Sequence, residues 1–124
     1  VRAPKYYLFF TATSNGQRAA SEYLQRLKER RKDRDKGPTP RALLRQLKAI
    51  TAWGKQAPQE LGRLRMPTLI ANGDNDIMVP TVNSHELAKR IPDAQLVIYK
   101  DAGHGSIFQN HTDFVAKAVA FLDT

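Results

Sequence analysis

The residues best suited to chemistry are an acid and a histidine, each closing a short apolar run. Met66-Pro67 leads into Thr68-Leu69-Ile70-Ala71-Asn72, which gives way to Gly73-Asp74-Asn75-Asp76-Ile77-Met78-Val79-Pro80. Further on, Gln95-Leu96-Val97-Ile98-Tyr99 is followed by Asp101-Ala102-Gly103-His104-Gly105. Short apolar runs bounded by turn residues are the pattern of buried parallel strands. With those strands side by side, Asp76 and His104 stand together at their carboxyl ends, where open parallel sheets place active groups. A carboxylate there can fix the imidazole tautomer and stabilise the imidazolium as it forms. The other imidazole nitrogen is then free to take a proton from a nucleophile and return it to a leaving group.

Other roles compete for the same residues. Asp74 is a rival acid, although its place directly after Gly73 suits it to capping the turn. Asp76 could cap a helix after Pro80, and His104 could be a plain turn histidine. His85 falls within a predicted helix and His111 at the start of the last one. With no cysteine and no pair at ligand spacing, neither a metal site nor a cofactor is expected. Phe9, Phe10 and Trp53 are the candidate substrate-binding residues, able to line an acyl pocket or simply to fill a core. Among the candidate nucleophiles Ser14, Ser21, Ser84 and Ser106, none sits between a strand and a helix with small neighbours.

The elements that must position these groups fall into two parts, with a change of composition near Leu64. Residues 6–10 form an aromatic-rich apolar stretch, and Thr11-Ala12-Thr13-Ser14-Asn15-Gly16 reads as a loop. Ala20, Tyr23, Leu24 and Leu27 recur at helical spacing, predicting an amphipathic helix over roughly 17–32. Lys36-Gly37-Pro38-Thr39-Pro40 ends it. Thr39 as N-cap and Pro40 at the first helical position start another helix, with Leu43, Leu44, Leu47, Ile50 and Trp53 on one face and Gly54 as its stop. After the first strand, Leu87, Ala88 and Ile91 mark a helix. Phe114, Val115, Ala118, Val119 and Leu122 mark the closing one. Strand, helix, strand, helix implies a parallel sheet with right-handed crossovers. The expected division is a helical segment over 1–64 and a β-α-β-α part over 65–124.

Charge and hydropathy narrow the function classes. The net charge of +8 suggests nucleic acid until it is mapped. Fourteen Lys/Arg against five Asp/Glu lie within 18–65, so the basicity belongs to one segment, densest over 26–36. No aromatic residue interleaves that run to stack bases, so a solvated face is expected and nucleic acid is not. The longest apolar run is about six residues against the roughly 18–20 a bilayer requires, so no membrane span is expected. The sequence opens on Val1 without a charged-then-apolar leader, which implies a trimmed, cleaved or truncated chain and, with no cysteine, a cytoplasmic setting.

The run 67–80 followed by Asp101-Ala102-Gly103-His104 resembles the C-terminal portion of an α/β-hydrolase-fold enzyme. In that family a strand followed by a Gly-x-x-Asp-x-x-x-Pro loop supplies the triad acid, which falls on Asp76, and the Gly-His loop after the last strand supplies the base, His104. The resemblance is good over 66–124 and looser before it, where the helices look like the family's cap. It implies a partial α/β-hydrolase fold: a cap segment followed by β-α-β-α with parallel strands. The nucleophile elbow Gly-x-Ser-x-Gly and the oxyanion-hole loop are absent from these 124 residues. The expectation is therefore the C-terminal part of a serine hydrolase acting on a small ester or related acyl compound, inactive as this chain alone. Haloperoxidase or perhydrolase chemistry and C–C bond hydrolysis are alternatives on the same fold. A non-catalytic interaction module is a further one. Two parallel strands alone leave open edges, so a homo-oligomer or association with a missing N-terminal half is expected.

Overall fold

A computed structural model describes residues 3–34 and 36–123. Helix α1 spans Pro4–Leu8 with a proline in its first turn, and it buries Tyr6. At five residues it is too short to stand by propensity and is held by packing. Helix α2 follows at Ser14–Glu29. It begins three residues before the expected start because Thr13 caps it: the Gly16 amide donates to Thr13 Oγ1 at 3.0 Å, and the Gln17 amide to Thr13 O at 2.9 Å. A Cβ at Gly16 would lie 2.1 Å from Thr11 Oγ1, so this first turn accepts only glycine. Tyr6, Phe10, Ala19, Ala20 and Tyr23 form one buried cluster, with Phe9 and Leu24 against it.

Strand β1 (Thr68–Gly73) and strand β2 (Ala94–Tyr99) pair in parallel, with Thr68 opposite Ala94 and Gly73 opposite Tyr99. Helix α4 (Thr81–Arg90) makes the crossover and packs on both strands. The expected closing helix is α6 (His111–Leu122), and a short helix α5 (Ser106–Gln109) precedes it. Helix α5 packs against β1 and α2, and Phe108 stacks on Tyr23 with ring centroids 5.0 Å apart. Tyr99 is buried at the end of β2 and donates to Asp113 Oδ2 at 2.9 Å, tying α6 to the sheet. Burial, followed by the Asp113 carboxylate beside it, pushes the Tyr99 phenol up to about 12.

Two compact units result. One joins residues 3–29 to 61–123, so the first two helices belong with the strands. The other is 30–60, built on helix α3 (Pro40–Gly54). Its start is the expected one: Thr39 accepts the Ala42 amide at 3.1 Å, and Pro40 follows. Leu43, Leu44, Leu47, Ile50 and Trp53 form an exposed apolar stripe along it. Among the described residues no helix is long and apolar enough to cross a membrane.

Candidate active site

The parallel register brings the loops after β1 and β2 together at one end of the sheet. Backbone bonds join them directly. The Asp74 amide donates to Tyr99 O at 2.9 Å, and the Asn75 amide to Ala102 O at 3.0 Å. Gly73 makes the approach possible, since a Cβ there would fall 2.0 Å from the Ala102 carbonyl oxygen. Asp74 is used in holding the junction: its Oδ1 accepts from the Ala102 amide at 3.3 Å and from Asn75 Nδ2 at 2.7 Å.

Asp76, two residues on, turns inward and is 7% exposed. Its Oδ1 accepts the Met78 and Val79 amides at 2.8 and 2.9 Å. Its Oδ2 lies 2.9 Å from His104 Nδ1. An ionised carboxylate only accepts, so Nδ1 carries a proton, and in the neutral imidazole Nε2 then keeps its lone pair. The His104 side chain is about a third exposed while that of Asp76 is almost fully enclosed. A fixed acid thus orients an accessible imidazole, the arrangement general-base chemistry requires.

The surroundings hold this pair from two sides. Under the acid, Asn72 is buried and donates through Nδ2 to Ser84 Oγ at 3.0 Å and to Val79 O at 3.3 Å, while its Oδ1 accepts the Gly73 amide at 2.8 Å. Thr81 Oγ1 donates to Gly73 O at 2.6 Å. On the histidine side, the Gly105 amide donates to Phe9 O at 2.8 Å. The Phe9 ring stands edge-to-face with the imidazole, centroids 5.2 Å apart. A cavity of about 250 Å³ opens beside the pair, lined by Asp76, His104, Ser84, Ser106, Leu87 and Ile107 among others.

The sequence candidates are distributed as follows. Asp76 and His104 meet. Phe9 touches the imidazole, whereas Phe10 is 4% exposed and its ring is used by the core around Ala20 and Tyr23. Trp53 lies in the 30–60 unit and is exposed. Among the described residues no group of three or more His, Cys, Asp or Glu could hold a metal ion.

One cluster answers to no local sequence pattern. Asp101, with φ of 50° in the left-handed region, accepts from Thr11 Oγ1 at 2.8 Å, from Thr13 Oγ1 at 2.8 and 2.9 Å, and from Asn15 Nδ2 at 3.1 Å. Those donors, Thr11 first, hold its carboxyl below the usual range. The only local hint is an acidic residue three before the histidine. Its partners are some ninety residues away in sequence.

The fold and the order of the two loops can be set beside known proteins. The model of the alpha/beta hydrolase fold family matches residues 5–111, and the chain belongs to that family. It is similar to the solved alpha/beta hydrolase fold protein from Chitinophaga pinensis, with a TM-score of 0.93, 39% identity, and 99% of this chain and 46% of that one covered. The protein named "Putative carbamate hydrolase RutD" of Pseudomonas syringae pv. syringae is 35% identical over 66% of this chain and 31% of its own length. The pimeloyl-(acyl-carrier protein) methyl ester esterase of Nitrosomonas europaea is 29% identical over 67% of this chain and 32% of its own. The chain spans about a third of the length of these curated relatives.

Proposed function

We propose that Asp76 and His104 are the acid and base of a catalytic triad in a serine hydrolase. The nucleophile comes from a part of the protein outside these 124 residues. The observation that carries this reading is the 2.9 Å contact between a buried carboxylate and a part-exposed imidazole. His104 Nε2 takes the proton of the attacking hydroxyl while Asp76 steadies the imidazolium. His104 then returns the proton to the leaving group, and in a second round it activates the water that releases the acyl group.

The substrate class is a small acyl compound with a heteroatom leaving group. The relatives' names, carbamate hydrolase and methyl ester esterase, support that class. The exposed apolar stripe of α3, on which Trp53 stands, supports the cap role of the helical segment over 1–64. Phe9 flanks the base on the substrate's approach. The cysteine-free sequence suits a reducing, cytoplasmic setting.

The test is hydrolysis of a panel of p-nitrophenyl esters by the full-length protein. His104→Ala is expected to lower kcat by about 10³-fold or more with the circular dichroism spectrum unchanged. Wild-type turnover in that variant would remove His104 from the mechanism.

A second reading, an interaction module, is favoured by one observation: Leu44, Trp53, Ile77 and Leu122 are all at least 65% exposed. The described sheet has only two strands. Such apolar surface is covered either by the rest of a larger fold or by another copy.

A further inference from the structure

Residues 9–15 are seated against the histidine loop at both of its ends. At one end Gly105 donates to Phe9 O, and Gly103 leaves room for it, because a Cβ at 103 would lie 2.8 Å from that same oxygen. At the other end the Asp101 carboxylate gathers Thr11, Thr13 and Asn15. His104 lies between these two attachments with its imidazole against the Phe9 ring. The Asp101 main chain is held in turn, since Gln109 Nε2 donates to its carbonyl at 2.9 Å.

We infer that Asp101 is a positioning residue for His104: by binding Thr11, Thr13 and Asn15 it locks residues 9–15 under the loop and keeps the imidazole turned toward Asp76. The inference rests on the reading of His104 as the base. Its physical content is specific. The loop 100–105 carries no helix or strand of its own, so hydrogen bonds to other segments set its backbone. Asp101 supplies its side-chain bonds to other segments, reaching hydroxyl and amide donors whose own backbone carries Phe9. A carboxylate suits the task because its two oxygens accept from three side chains at once, which a single amide oxygen cannot match. The left-handed backbone there also favours Asp or Asn over most residues.

The test reads the imidazole itself, by proton and nitrogen NMR on the full chain, and needs no turnover. The wild type is expected to show a downfield Nδ1–H resonance from the bond to Asp76. Asp101→Asn keeps the backbone preference but loses an acceptor, and the resonance is expected to broaden or vanish. Thr11→Val removes a donor while leaving the Asp101 charge in place, and is expected to do the same, with Thr11→Ser restoring the signal. Asp76→Asn is the control that must abolish it. If that control keeps the resonance, the Asp76–His104 pair fails and this inference with it. If the control loses the resonance while Asp101→Asn and Thr11→Val keep it, the pair stands and Asp101 is no positioning residue. Should Asp101→Asn fail to fold, the Thr11 variants decide the matter in the same way.

Discussion

His104 Nδ1 meets Asp76 Oδ2 at 2.9 Å although 28 residues separate them, because Gly73 and Tyr99 are register partners at the ends of two parallel strands. The other oxygen of Asp76 is already committed to the Met78 and Val79 amides. Asp76→Asn must therefore keep its carbonyl on those amides and turn its NH2 toward His104. That forces the proton onto Nε2, the end that should act as base. A fall in kcat of about 10³- to 10⁴-fold is expected, with thermal stability little changed. Ester turnover and the imidazole nitrogen shifts check it together.

Gly73→Ala is expected to disrupt the site through the backbone. The added methyl would lie 2.0 Å from the Ala102 carbonyl oxygen, which no side-chain rotation relieves. A loss of about 2 kcal/mol or more is expected in urea denaturation, together with loss of the Nδ1–H signal of His104.

Phe9 and Phe10, adjacent in sequence, should behave differently. Phe10 is buried, so Phe10→Ala is expected to cost about 3 kcal/mol or more of stability. Phe9→Ala should instead change ester kinetics more than the unfolding midpoint, since its ring lies on the imidazole.

Alkaline stability carries a signature of Tyr99. Its folded-state value is pushed to about 12, above the ordinary 10, so the unfolded chain releases this proton first as pH rises. The stabilisation is complete below pH 10 and is lost between about 10 and 12. Tyr99→Phe should lose the bond to Asp113 but flatten this part of the stability-versus-pH curve. An unchanged slope in the variant would assign the alkaline loss to another group.

Much of the arrangement was legible in the sequence, and the physical reason is the same wherever it was. The strands, the crossover helix and the Thr39-Pro40 start of α3 rest on local periodicity and capping, which act within a few residues. Helix α1 was not legible as a helix, because residues 6–10 lack a polar face and depend on burying Tyr6. The early start of α2 depends on Thr13, which in turn bonds Asp101. The Asp101 cluster joins residues 86–90 positions apart, beyond any local pattern. Asp76 and His104 were legible since each ends a strand whose pairing the β-α-β order dictates.

Solution assembly tests how the exposed apolar surface is covered. Light scattering on the 124-residue chain is expected to give a dimer or larger, as an open two-stranded sheet associates with itself. A compact monomer would contradict that expectation.

The most direct measurement is labelling of the full-length protein with a fluorophosphonate, followed by mapping of the modified peptide. One labelled serine is expected, outside residues 1–124, with the labelling rate reduced by about 10³-fold or more in His104→Ala. Labelling at the wild-type rate in that variant would contradict the assignment of His104 as the base that activates the nucleophile.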